Sequence, residues 1–236
     1  MRIRWVTGFL DTPDRSVEGF WQAVTGTRLS ARRGGGVFAT LVPQVGDPCL
    51  RVQVVGDGPP RAHVDLHVED VAGAVLPAGA REIFAGDGLR VVRSPAGIVF
   101  CLVGWDAEAV RPVPVRWPGG QSSVVDQLCL DVPDPVHDRE VAFWGELTGW
   151  AWRSMGVPEF SVFAEAAMPL RLLVQRTGGT AAGVHVDFAC DGVDAEVARH
   201  VDLGAAVVRR VPDDWTTLRD PAGREYCVTG RSPYFS

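Results

Sequence analysis

HVDLHVEDV at residues 63–71 and HVDFACDGV at residues 185–193 decide the fold. In each, polar and apolar side chains alternate from the opening histidine. That period-2 pattern marks a strand with one buried face and one free face. The interval from His63 to His185 recurs from Gln53, which closes LRVQ, to Gln175, which closes LLVQ. Upstream, FWQAVTG at 20–26 answers FWGELTG at 143–149, within one residue of the same interval. Downstream, SPAGIVFCLVG at 94–104 answers DPAGREYCVTG at 220–230, with a few extra residues before the second. Landmarks in one order at near-constant spacing mean an internal duplication. Between the copies, WDAEAVRPVPVRWPGGQ (105–121) is rich in the residues that break helix and sheet. The expected organisation is therefore a domain over 1–108, a linker over 109–120 and a domain over 121–236.

Within the second copy, VVDQLCLDV predicts a strand and DPVHDREVAFWGELTGW a helix. Asp134 can cap that helix, Phe143, Trp144 and Leu147 give it an apolar stripe, and Gly149 ends it. Three short strands follow: WAWRSM, EFSVFAE and LRLLVQR. The unit then repeats as strand GVHVDFAC, a helix ending at Gly204, strand AAVVRRVP and a hairpin turning at DPAG. The first copy gives the same string, with a shorter second helix in VAGAVLPAGA (71–80). Each copy thus reads as a pair of βαβββ modules. The class is α+β, with helices on the outer face of a curved mixed sheet and a cleft on the other.

Strand parity assigns faces. Val64, Leu66 and Val68 point to the helices, as do Val186, Phe188, Tyr226 and Val228. The cleft of the second copy collects Gln127, Arg171, Gln175, His185, Asp187, Glu225 and Cys227. The first offers Thr7, Gln53, His63, Asp65, His67 and Cys101. Trp150 and Trp152 share a strand face and would form an aromatic platform for a flat ligand. Trp21 and Trp144 are expected to pack helix on sheet. Cys129 and His137 are given no role.

Composition narrows the function. The chain of 236 residues carries a formal net charge of -6 and no basic run, which argues against nucleic acid and anionic membranes as partners. Every basic residue other than histidine is arginine, so a lysine Schiff base and a phosphate loop needing lysine are excluded. No apolar stretch is long enough to span a bilayer. Five cysteines without CxxC spacing, and no signal-peptide pattern, point to free thiols in the cytoplasm.

The FW helix ending in TG, the strand opening H-V-D and the [DS]-P-A-G hairpin, each present twice, resemble the vicinal-oxygen-chelate superfamily. Its members include glyoxalases, bleomycin-resistance proteins and dioxygenases, and the likeness is greatest to the glyoxalase-like domain. The resemblance implies two tandem domains of that kind and a small, partly aromatic ligand. It also implies metal ligands at strand positions which in this chain are Gln127, His185 and Cys227. Gln175 and Arg171 lie nearby, and Asp187 and Glu225 stand as assisting groups. His63 and Asp65 occupy the ligand-binding positions of the first copy.

The closing carboxylate of the superfamily's metal sites is Cys in both copies. The first expectation is therefore a binding protein without the usual catalytic metal. The alternative is a lyase, isomerase or dioxygenase using zinc, iron, nickel or manganese in the second cleft. An interaction domain without a small ligand is a third possibility. Two copies in one chain can satisfy the dimer contact internally, so either a monomer (a pseudo-dimer) or a homodimer is expected.

Overall fold

The structure, a computed structural model, describes residues 1–234. The first copy runs β1 (Ile3–Thr12), α1 (Glu18–Thr25), β2 (Arg28–Leu29), β3 (Phe38–Val42), β4 (Leu50–Val54), β5 (Arg61–Val68), β6 (Arg81–Gly86), β7 (Leu89–Arg93) and β8 (Val99–Gly104). After β9 (Val115–Arg116), the second runs β10 (Ser122–Pro133), α2 (His137–Thr148), β11 (Trp152–Ser154), β12 (Phe160–Phe163), β13 (Arg171–Thr177), β14 (Gly183–Cys190), α3 (Val193–Asp202), β15 (Ala206–Val211), β16 (Trp215–Arg219) and β17 (Glu225–Thr229). The strands form two mixed sheets of matching order, β2-β3-β4-β1-β5-β8-β7-β6 and β11-β12-β13-β10-β14-β17-β16-β15. Apart from β9 of the connector, each sheet is built from one copy, so the sheet that floors each cleft belongs to a single copy.

Register explains the repeat. β1 pairs antiparallel with β5, setting Thr7 opposite Asp65 and Phe9 opposite His63. β10 pairs antiparallel with β14, setting Gln127 opposite Asp187 and Cys129 opposite His185. The apolar residues of opposite parity, Val64, Leu66, Val186 and Phe188, are fully buried. α1 and α2 end at Gly26 and Gly149, whose φ of 64° and 68° allow the left-handed turn that closes each helix.

Three local expectations are corrected. Residues 71–80 form no helix: Gly73, Pro77 and Gly79 interrupt the run. The chain here is a loop held by Arg90 Nη1, which donates to the carbonyls of Val71 and Ala74 at 3.3 and 2.6 Å. Asp134 does not cap α2; it lies in a single 3-10 turn ahead of the helix and pairs with Arg176 at 2.5 Å. The Pro/Gly-rich connector is not wholly irregular, because β9 turns back at Trp117–Gly120 and pairs with the start of β10.

The helices lie in the seam between the copies, and one continuous apolar core runs through both. Trp21 of α1 stacks on Phe188 and meets Tyr226 edge-on, both from the second copy. Trp144 and Phe143 of α2 pack on Phe100 of the first copy. Each indole N–H finds a buried carboxylate. Trp21 Nε1 donates to Asp220 at 2.9 Å, and Trp144 Nε1 donates to Glu140 at 2.8 Å. Asp220 also takes Arg224, which is 2 % exposed on its side chain and donates onward to the carbonyls of Asp11 and Arg61. At the other end Glu140 accepts from the backbone of Ala96 in the S-P-A-G turn. The two ends are therefore related, with the carboxylate supplied from the turn at one and from the helix at the other.

Candidate functional site

The free face of the second sheet carries a cleft of about 320 Å³. Its floor comes from alternate residues of neighbouring strands: Gln127 and Cys129 on β10, Gln175 on β13, His185 and Asp187 on β14, Cys227 on β17. Its walls are apolar, from Met155, Val157, Phe160, Leu173 and Trp215.

His185 is the hub of the floor. Its Nδ1 lies 2.7 Å from Asp131 Oδ2 and its Nε2 lies 3.2 Å from Asp187 Oδ1. Cys227 Sγ sits 3.6 Å from Nε2, and Cys129 Sγ donates to Gln175 at 3.4 Å. Burial works against a charge on His185, but the surrounding Cys129, Asp131 and Asp187 outweigh it and hold its pKa well above the ordinary imidazole value. Burial likewise opposes the charge of Asp187, yet His185 and the amide of Gln127 keep its carboxyl below the usual range. Burial pushes the Cys129 thiol far up. One oxygen, Asp187 Oδ1, is buried and completes no hydrogen bond.

The first copy repeats the plan. His63 Nδ1 lies 3.1 Å from Asp11 and Nε2 lies 3.5 Å from Asp65 Oδ1, and that oxygen again completes no hydrogen bond. Burial opposes the His63 charge, but the two aspartates and Cys101 raise its pKa well above the ordinary value. Burial raises Cys101 to about 11. The difference lies beside the histidine: where the second copy has Cys129, the first has Phe9, stacked on His63 at 4.7 Å.

Gln127, Gln175, His185, Asp187 and Cys227 meet in one cleft, and His63 and Asp65 meet in the other. Arg171 is drawn to the side, onto Asp126 at 3.2 Å. Glu225 does not reach the floor; it begins β17 and pairs with Arg219 across the strand end at 2.7 Å. The tryptophan platform does not form. β11 starts only at Trp152, which is 53% exposed, whereas Trp150 precedes the strand and packs on the core. The aromatic walls come instead from Phe160 and Trp215, which meet edge-on at 5.9 Å. Cys129 was legible: it shares the parity of Gln127 on the same strand. So do Asp11 and Asp131, two residues past the positions facing each histidine.

Three ligand-type atoms of Cys129, His185 and Asp187 lie within 4.8 Å of one another, as do those of His63, Asp65 and Cys101. The set of Cys129, His185 and Asp187 suits a thiophilic divalent ion such as zinc, with Cys227 adjacent and Asp131 orienting the imidazole as carboxylates do behind zinc-bound histidines. It does not suit non-haem iron, which takes two histidines and a carboxylate.

The family profile of the glyoxalase-like domain matches residues 9–103 and again residues 127–229. No curated protein sequence matches. Among solved structures, the Mn(II)-bound glyoxalase from Novosphingobium aromaticivorans superposes with a TM-score of 0.62 at 15% identity, over 97% of this chain and 81% of that one. A halotolerant catechol dioxygenase gives 0.59 at 17% identity, over 97% and 87%. A catechol 2,3-dioxygenase gives 0.61 at 12% identity, over 100% and 91%. At these identities the likeness concerns the fold.

Proposed function

Because the chain belongs to the glyoxalase-like domain family, we propose that it is a small-molecule-binding protein whose ligand occupies the cleft of the second copy. The observation that carries this reading is Asp187 Oδ1, buried on a polar floor under apolar walls, which completes no hydrogen bond and has only the ion-pair contact of His185 Nε2 at 3.2 Å. A ligand hydroxyl or N–H would satisfy it, while a flat apolar body rests against Phe160, Leu173 and Trp215. His185, held between Asp131 and Asp187, fixes the carboxylate in place.

A thermal-shift screen of phenols, hydroxylated aromatics and their methyl ethers tests this. Hits should need a free hydroxyl and vanish in Asp187→Asn. Hits that bind equally well as methyl ethers would overturn the reading.

A second reading is favoured by the contact between Asp131 and His185 Nδ1. Cys129, His185 and Asp187 would hold zinc, a Lewis acid able to polarise a carbonyl, as a lyase or isomerase requires. Elemental analysis after zinc incubation decides it: about one ion per chain in wild type, lost in both Cys129→Ser and His185→Ala. No retained zinc would exclude it.

The seam between the copies supports a monomer over a homodimer as the working state. The five free, buried cysteines suit the cytoplasm. No helix among the described residues is long and apolar enough to cross a membrane.

A further inference from the structure

The first copy's cleft is the larger of the two, about 690 Å³, and its electrostatics are the reverse of the second's. Four arginines line it (Arg33, Arg51, Arg61 and Arg93) against two aspartates. The second cleft has one arginine against three aspartates. In a chain of formal net charge -6, such a gathering of guanidinium groups around one concavity is not an average of the surface.

Most of the negative charge inside the first cleft is already spent. Asp11 is shared by Arg61 at 2.9 Å and His63 at 3.1 Å, and Asp65 lies between His63, at 3.5 Å, and the field of Arg51, though its Oδ1 completes no hydrogen bond. Arg33 and Arg93 form no ion pair among the described residues; Arg33 has only the hydroxyl of Thr40, at 3.2 Å. Arg51 reaches Glu108 at 3.7 Å, but its Nε is buried and completes no hydrogen bond. Burial opposes the Arg51 charge most, Asp65 supports it, and Arg33 lies close enough to oppose it in turn. Like charges brought together with donors unspent favour an anion between them, and the planar fork of guanidinium suits a carboxylate or a phosphate. Phe9, Phe38, Leu89 and Val91 supply an apolar wall beside the arginines.

We infer that the first copy's cleft is a second binding site, for a small organic anion whose carboxylate or phosphate meets Arg33, Arg51 and Arg93. Its apolar body lies against Phe9, Phe38, Leu89 and Val91. This site is separate from the one proposed in the second copy and does not depend on it. Ala182, Gly183 and Val184, from the second copy, also border this cleft.

Titration calorimetry of the full chain with benzoate, phenyl phosphate and benzyl alcohol tests it. At least one of the two anions should bind more tightly than the neutral alcohol, and weaken as salt is raised. In the double variant Arg33→Gln/Arg93→Gln, affinity should fall about tenfold or more, as expected for losing two charge-assisted contacts. His185→Asn, in the other cleft, should leave it unchanged. A third variant, Val91→Glu, places a competing carboxylate in the cleft without touching an arginine and should also abolish binding. The inference is overturned if neither anion binds at millimolar concentration, or if the alcohol binds as well as the anions. It is equally overturned if binding survives the double variant and falls with His185→Asn.

Discussion

Replacing Asp220 by alanine should destabilise the protein by about 3 kcal/mol, the low end of the cost of stranding a buried charge. Asp220 accepts from Trp21 Nε1 at 2.9 Å, from Arg224 Nη1 at 3.0 Å and from the backbone amides of Ala222 and Arg224 at 2.9 Å. Its removal leaves the buried Arg224 guanidinium without a counter-charge. Breaking a buried pair from one side costs about 3–5 kcal/mol, and the low end applies because Arg224 keeps the carbonyls of Asp11 and Arg61. The Trp21 contact shares the same oxygen, so its loss is not added separately. With a urea dependence of about 3 kcal/mol/M, the midpoint should fall by about 1 M. The assay is equilibrium urea unfolding at pH 7, read by tryptophan fluorescence and by circular dichroism. Arg224→Met/Asp220→Ala should recover part of the loss, because no charge is then stranded. A loss below about 1 kcal/mol in Asp220→Ala, with the double variant worse than the single, would refute the argument that this pair anchors the seam.

Glu196 is fully buried between Arg199, His200 and Ser123. Burial opposes its charge, but hydrogen bonds from His200, Arg199 and Ser123 lower its pKa to about 2 from an ordinary 4.5. A depressed carboxylate contributes stability above its unfolded value and loses it on acidification, so stability should drop as pH falls from about 4.5 towards 2, by on the order of 3 kcal/mol. Urea midpoints across that range check it; Glu196→Gln should be less stable at pH 7 and fall less steeply than wild type in that window. Residues 1–108 expressed alone lack α2, whose Phe143 and Trp144 cover Phe100; this fragment should bind a hydrophobic dye and unfold without a cooperative transition, and a sharp transition matching the full chain's would contradict the shared core. Trp144→Ala in the full chain should cost about 3–5 kcal/mol by the same urea assay.

The repeat and the strand parity were legible because both are one-dimensional patterns. The shared interval linked His63 to His185 and Gln53 to Gln175, and alternation put each histidine and its aspartate on the free face. Boundaries were less legible. Alternation alone does not show that the strand starts only at Trp152, past Trp150, and the apolar run at 71–80 has a helix-like composition that Gly73, Pro77 and Gly79 do not allow. Cys129 obeys the same alternation as Gln127, but a small, apolar side chain on a strand is indistinguishable in sequence from core filling. The seam was beyond any local pattern. That Trp21 belongs on Phe188, and that its indole needs Asp220, depends on how two sheets meet, and no period in the chain encodes that.

The unequal ends of the seam have a consequence for how such a chain can change. In a dimer of identical subunits every substitution is made twice, and a residue that suits one end must suit the other. Here the two buried indoles are answered independently, one by Asp220 from a turn and one by Glu140 from a helix. Joining the copies has removed the obligation to be symmetric. The same freedom extends to the clefts, where Phe9 and Cys129 flank equivalent histidines. A duplicated gene product of this kind can alter one cavity's chemistry while the other, and the scaffold both rely on, stays as it was.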